Sequence, residues 1–175
     1  MTAADPRQST SPLLEAIEAH LASRDVARII YGTIVGLAVV VALQEHPPAA
    51  GAVAATVAGT ALAVGFAHLY GEFVATETRT RRPVEYAQFR TLAAESGAIV
   101  LGAGLPACFF VLAATGAMST STAFNTAKWS GAALICGYGF LAGRLSGAGR
   151  LRALGHGAAL GAVGLALIGL KALLH

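Results

Sequence analysis

The chain has 175 residues, of which 55% are hydrophobic and 12% are charged, and its formal net charge is +3. Soluble globular domains average about 25% charged residues, so this composition excludes an ordinary soluble domain and a disordered chain. Two cysteines exclude a disulfide-rich scaffold, and 21 glycines without a three-residue period exclude a collagen-like chain. The composition predicts an all-α membrane protein, long enough for about five spans of about 20 residues each.

The first 25 residues are polar enough to lie outside the membrane. They contain neither an early basic region nor an apolar core, so we do not expect a cleaved signal peptide. Ser11 and Pro12 are typical of a helix start, and apolar residues then recur at helical spacing. These residues are Leu13, Leu14, Ile17 and Leu21. We expect residues 1–25 to be a cytoplasmic segment with a short amphipathic helix at the interface, or a plain extension of the first span.

Five apolar stretches follow, each near or above the roughly 17–25 residues that a helix needs to cross a bilayer. They cover residues 26–43, 49–74, 92–117, 127–145 and 154–174. Pro47 and Pro48 separate the first two stretches, because proline lacks the N–H that a helix interior requires. The longest polar connection covers residues 78–89. We therefore predict one transmembrane domain of five helices over residues 26–175.

The basic residues indicate the orientation of these spans. With five spans, Lys128 and Lys171 lie on one side of the membrane and the other ten basic residues lie on the opposite side. The ten are Arg7, Arg24, Arg28, Arg79, Arg81, Arg82, Arg90, Arg144, Arg150 and Arg152. Because basic residues concentrate in cytoplasmic loops, the split predicts a cytoplasmic-membrane protein with its N-terminus inside and its C-terminus outside.

Glycines recur at four-residue spacing in three of the predicted spans. The sets are Gly139, Gly143 and Gly147, then Gly32 and Gly36, then Gly157 and Gly161. Missing side chains let helix backbones approach closely in lipid, so the spacing predicts tight helix contacts and a homodimer through glycine-rich faces. The alternative is a compositional bias toward small residues. Replacing Gly32 or Gly36 of span one by leucine is expected to disrupt the dimer.

Ionisable residues inside spans are costly and are therefore candidates for function. His68 and Glu72 lie four residues apart on one face of span two, Glu77 follows about one turn later, and Glu95 opens span three. Imidazole and carboxylate together suit a divalent transition metal, and imidazole also suits a proton relay. We predict His68, Glu72 and Glu95 as metal ligands, with Glu77 as a weaker candidate. The alternative is a structural ion pair between Glu72 and Arg144, with the remaining acids reaching the headgroups.

Short motifs that carry catalysis are absent from the sequence. It contains no H-E-x-x-H, no G-x-S-x-G and no phosphate-binding glycine loop with a lysine. We therefore expect neither an enzyme nor a bound cofactor, beyond a divalent cation as substrate. The basic residues are expected to serve membrane orientation, so the lipid bilayer is the expected partner and nucleic acid is not.

Three segments resemble motifs of the vacuolar iron transporter family. Residues 31–37, Tyr-Gly-Thr-Ile-Val-Gly-Leu, are similar to that family's F-G-x-x-D-G-L. Residues 71–75, Gly-Glu-Phe-Val-Ala, are similar to G-E-Y-[VL]-[SA], and residues 102–106 are similar to G-x-x-x-P. The resemblance covers about residues 24–174. It implies five spans, a dimer through spans one and two, and proton-coupled export of ferrous iron or manganese.

The chain departs from this family at the residues that carry its chemistry. The family's span-one aspartate falls at Val35, and a span-two glutamate falls near Thr60, so both carboxylates are missing. The family's methionine falls near His68, and Glu72 alone matches a family acid. The helical metal-binding insertion between spans two and three is also missing. Two functions follow as expectations: a divalent cation transporter or a degenerate relative of one, and a non-transporting scaffold or accessory subunit with structural ion pairs.

Overall fold

A computed structural model describes residues 24–173, and it forms five α-helices in that range. They are α1 (Arg24–Leu43), α2 (Ala50–Thr80), α3 (Tyr86–Ala114), α4 (Thr120–Leu145) and α5 (Arg150–Leu173). The described residues contain no strand, so the expected all-α class is confirmed for them. The amphipathic helix predicted within residues 1–25 lies outside the described residues, apart from the two residues that begin α1.

Three of these helices are long and apolar enough to cross a membrane. They are α2, α3 and the part of α1 at Val26–Leu43. The first half of α4 is more polar, with Asn125, Lys128 and Ser130 among its residues. The described residues therefore support a membrane protein with three candidate spanning helices, and the five predicted spans stay a prediction.

The helical hairpin of α2 and α3 extends further into polar sequence than hydropathy predicts. The connection predicted at residues 78–89 is only residues 81–85. Arg81 ends α2 in the left-handed conformation with a φ of 53°, and its N–H donates to the Glu77 carbonyl. Glu85 and Gln88 form a capping box that starts α3. These caps satisfy backbone groups at both helix ends, so the helices continue past their apolar parts.

Helices α1 and α3 cross with their backbones in close contact. A Cβ added to Gly32 would lie less than 3.0 Å from the Ile99 carbonyl oxygen, and one added to Gly102 would lie equally close to the Ile29 carbonyl oxygen. At Gly36 an added Cβ would lie 2.5 Å from the Ala103 carbonyl oxygen. The glycine face predicted to carry a homodimer therefore packs against α3 of the same chain.

The crossing reveals an internal repeat of two helices. Ile29, Gly32 and Gly36 are buried in α1, and the residues 70 positions later, Ile99, Gly102 and Pro106, are buried in α3. The buried residues of α2 and α4 show the same shift. In α2 they are Val53, Ala54, Val57, Ala61 and Gly65, and in α4 they are Ala123, Phe124, Ala127, Gly131 and Ile135. The reciprocal contacts of Gly32 and Gly102 indicate an approximate two-fold relation between the α1–α2 and α3–α4 pairs.

The apolar core lies at the end of the bundle where α1 connects to α2. Phe110 and Phe124 meet edge to face, with their ring centroids 4.7 Å apart. Val40, Val53 and Val57 complete the centre, and each is at most 1% exposed. Edge-to-face packing is a favoured aromatic geometry, so this cluster joins all four helices of the repeat at one end.

Helix α5 packs on α4 through small residues. An added Cβ at Gly157 would lie 2.8 Å from the Cys136 carbonyl oxygen, and one at Gly143 would lie 2.9 Å from the Ala153 Cα. Gly147, predicted as part of the same glycine face, lies beyond the end of α4 with a φ of +78°. That prediction is corrected: Gly147 allows the turn after α4, because a positive φ is strained for residues with a side chain.

Candidate functional site

An ion pair joins α1 to α3 beside the glycine crossing. The Arg28 Nη2 lies 2.6 Å from the Glu95 Oε2, and the two side chains are only 15% and 19% exposed. Arg28 directly precedes Ile29, and Glu95 lies one turn before Ile99, the residues whose carbonyls meet the crossing glycines. Two charges removed from water stabilise each other when they are paired at this distance. The pair therefore ties the two helices at the end of the bundle opposite the apolar core.

Glu95 was predicted as a metal ligand, and Arg28 was predicted only as a basic residue on the cytoplasmic side. The structure gives Glu95 a cationic partner, which already neutralises its carboxylate. Sequence reasoning missed this pair because the two residues belong to different helices. The sequence did place the arginine of span one and the acid of span three on the same side of the membrane. It did not show which turns of the two helices face each other.

His68 and Glu72 both continue the buried face of α2 that contains Ala61 and Gly65. Both side chains are half-buried. The His68 Nε2 is buried and has no hydrogen-bond partner within residues 24–173. A buried nitrogen without a partner is costly, so His68 is the predicted site residue whose bonding is least satisfied.

Arg144 does not pair with Glu72 in the described part of the chain. Arg144 is exposed, and its Nη1 donates to the Ala148 carbonyl oxygen over 3.3 Å. The predicted alternative of a Glu72–Arg144 bridge is therefore corrected, because Arg144 points to the turn after α4. The structural ion pair exists, but its members are Arg28 and Glu95.

Glu77 closes the α2–α3 hairpin. Its Oε1 accepts a hydrogen bond from the Val84 backbone N–H over 3.4 Å. The contact links the short connection to the last turn of α2. Glu77 therefore has a structural role that does not require a metal.

The predicted ligands do not form a metal cluster. Residues 24–173 contain no group of three or more His, Cys, Asp and Glu side chains that could hold a metal ion. Thr60, near which the resemblance places a family acid, donates its hydroxyl to the Thr56 carbonyl oxygen over 2.8 Å. Val35, where the resemblance places the family's span-one aspartate, is half-buried and its side chain offers no ligand atom.

Comparison with family models, curated proteins and solved structures finds no match for this chain. The resemblance to vacuolar iron transporters thus stays a prediction from three short motifs.

Proposed function

We propose that this protein is a non-transporting membrane scaffold or accessory subunit, in which intramembrane charges hold helices together. The observation that carries the proposal is the Arg28–Glu95 pair. It uses a predicted ligand as one half of a structural contact beside the close crossing of α1 and α3. A cation site needs a carboxylate that is free to exchange its partner, and Glu95 is engaged by a guanidinium.

The proposal includes five spans, with the N-terminus inside and the C-terminus outside the cytoplasmic membrane. The unequal distribution of arginines supports this orientation. A homodimer also stays a prediction, but Gly32 and Gly36 are occupied by α3, so a second copy needs a different surface.

Reporter fusions check the topology at two exposed or half-exposed helix ends. A fusion after Thr80, at the end of α2, is expected to place its reporter in the cytoplasm. A fusion after Thr120, at the start of α4, is expected to place it outside. Fluorescent protein and alkaline phosphatase give complementary signals on the two sides. The same sidedness at both positions contradicts the five-span topology.

A second function is divalent cation transport, and the observation favouring it is the unpartnered His68 Nε2 on the same helix face as Glu72. Imidazole and carboxylate four residues apart on a helix are suited to a transition metal. The geometry supports this function less well, because no third ligand lies with them among the described residues.

Proteoliposomes separate the two functions. We expect vesicles containing the protein to take up no more Fe²⁺, Mn²⁺ or Zn²⁺ than protein-free vesicles, with or without a proton gradient. Uptake that is lost in both His68→Ala and Glu72→Gln would replace the scaffold proposal with the transporter. A sealed-vesicle control with a known ionophore shows that the metal indicator responds.

A further inference from the structure

The outer surface between α2 and α3 carries a long apolar groove, which we call the α2–α3 groove. Two adjoining hollows of about 170 and 240 Å³ form it, and they share Phe66 and Leu69. Its α2 wall is Leu62, Phe66, Leu69 and Phe73. Its α3 wall is Phe89, Ala93, Ser96 and Val100. Gly65, Tyr70 and Gly97 also line the groove, and its only polar side-chain groups among the described residues are the Ser96 and Tyr70 hydroxyls.

The internal repeat shows what covers the equivalent face in the other half of the protein. The positions of Leu62, Phe66, Leu69 and Phe73 correspond, 70 residues later, to Ala132, Cys136, Gly139 and Gly143 of α4. On that face α5 packs closely, through contacts of Gly157 with Cys136 and of Gly143 with Ala153. The described residues place no helix over the α2 face, where Leu62 is 51% and Phe66 is 68% exposed.

The side chains of the two faces differ in size, and the difference indicates the occupant. Close helix packing in lipid uses small residues, as on the α4 face. The α2 face has leucines and phenylalanines instead, which hold a neighbouring backbone at a distance and leave hollows between them. Such a surface suits a flexible chain of methylene groups better than another helix.

The length of the groove matches one leaflet of a bilayer. From Leu62 to Phe73 the helix rises by roughly 16 Å, at about 1.5 Å per residue. Half of a hydrocarbon core of about 30 Å is about 15 Å. One acyl chain of a phospholipid therefore fits along the groove from the headgroup region to the bilayer centre.

Positive charge lies at the end of the groove that contains Phe73 and Phe89. Arg90 precedes Ala93 by three residues and Gly97 by seven, so it shares the α3 face that lines the groove. Arg81 and Arg82 lie in the connection between the two helices and are exposed. Glu77 accepts from the Val84 N–H and Glu85 forms a capping box, and no ion pair joins an acid to Arg81, Arg82 or Arg90 in the described residues. The arginines are therefore available to an anion.

The groove also contains a polar group without a partner. Ser96 is 4% exposed, and its Oγ has no hydrogen-bond partner in the described residues. A buried hydroxyl of this kind gains from a ligand that brings an acceptor into the groove. Ser96 lines the hollow that contains Leu62, about two turns of α3 beyond Phe89, so a lipid ester oxygen reaches its hydroxyl only when the lipid lies deep in the groove.

We propose that the α2–α3 groove binds one anionic phospholipid, with an acyl chain along α2 and the phosphate held by Arg90 and the arginines of the connection. The proposal rests on the chain being a membrane protein. Basic pockets between transmembrane helices recognise acidic headgroups, because the phosphate gains both charge pairing and hydrogen bonds.

Native mass spectrometry of the full chain in neutral detergent tests this binding. Phosphatidylglycerol and phosphatidylcholine with identical acyl chains are added in turn, and retained lipid is counted for each variant. We expect the wild type to prefer one phosphatidylglycerol, and Arg90→Gln to lower that preference by about five-fold. Arg150→Gln on α5, which packs on α4 and α1, is the matched control and is expected to keep the preference.

A second pair of variants tests the apolar part of the groove. Gly97 lines the groove and an added Cβ there meets nothing within 4 Å, so Gly97→Leu fills the space without a backbone clash. It is expected to reduce retention of both lipids. Gly71→Leu, also with nothing within 4 Å but outside the groove lining, is expected to change neither.

Three outcomes would overturn the proposal. One is equal retention of the two lipids by the wild type, and another is an unchanged preference in Arg90→Gln. The third is a lipid-free dimer that Gly97→Leu converts to a monomer, since a second copy would then be the occupant. Extraction of the protein from membranes by alkaline carbonate is a separate result, because it contradicts the membrane assignment itself.

Discussion

Gly32→Ala and Gly102→Ala are each expected to destabilise the protein by about 1–3 kcal/mol. The added methyl would lie less than 3.0 Å from a backbone carbonyl of the facing helix, Ile99 or Ile29. A backbone oxygen cannot rotate away as a side chain can, so α1 and α3 must move apart. Thermal unfolding of the purified chain in detergent measures the loss.

Replacing glycine by alanine is expected to have the opposite effect on stability where no neighbouring atom lies near the added Cβ. Gly59 and Gly71 lie in α2, and an added Cβ at either meets nothing within 4 Å. Alanine favours a helix over glycine by about 1 kcal/mol, so Gly59→Ala and Gly71→Ala are expected to be neutral or stabilising. Equal behaviour of Gly32→Ala and Gly59→Ala would show that α1 and α3 do not cross at these residues.

The two crossing glycines are also expected to be coupled. Once Gly32→Ala has separated the helices, the space for a methyl at Gly102 already exists. The double variant should therefore lose less stability than the two single losses added together. Strict additivity would indicate two independent contacts instead of one reciprocal crossing.

Glu95→Gln is expected to lower the stability by about 3 kcal/mol, because it removes the carboxylate charge that lies 2.6 Å from the largely buried Arg28 guanidinium. Replacing both residues by leucine is expected to recover most of this loss, since no charge is then left buried. Exchanging the charges, with Arg28→Glu and Glu95→Arg together, should recover part of it. Chemical or thermal unfolding in detergent compares the four proteins.

Glu72→Gln is the control for this series. Glu72 is half-buried on α2 and has no ion pair in the range that the structure covers, so its neutral variant should stay within about 0.5 kcal/mol of the wild type. If Glu72→Gln and Glu95→Gln are equally destabilising, the loss of stability comes from neutralising any carboxylate in these helices and is not specific to the Arg28–Glu95 pair. If Glu95→Gln changes nothing, the Arg28–Glu95 pair is not structural, and the scaffold proposal loses its main support.

The internal repeat also explains why the α2–α3 groove is open. Helix α5 completes the α3–α4 half by covering the small-residue face of α4, and the α1–α2 half has no corresponding helix among the described residues. At the equivalent positions α2 has larger side chains, which leave no room for a closely packed helix. The small residues at these positions of α4 are Ala132, Cys136, Gly139 and Gly143. One half is thus closed by protein, and the other half is open to the bilayer.

The sequence by itself determined the all-α class, the membrane character and the approximate position of each helix. Hydropathy and length are local properties, so apolar stretches such as residues 26–43 predict a helix without knowledge of its neighbours. The glycine spacing likewise predicted close backbone contact. It could not name the partner, because Gly32 offers the same gap to a second chain as to α3.

The tertiary structure alone decided which residues meet. Arg28 and Glu95 pair only because the reciprocal contacts at Gly32 and Gly102 bring the neighbouring turns of α1 and α3 together. Arg144 and Glu72 have suitable charges and predicted depths, yet helix register turns Arg144 toward Ala148. The open face of α2 became visible only beside the covered face of α4. Each of these features depends on the relative rotation and crossing of helices, which is set by packing between residues far apart in the chain.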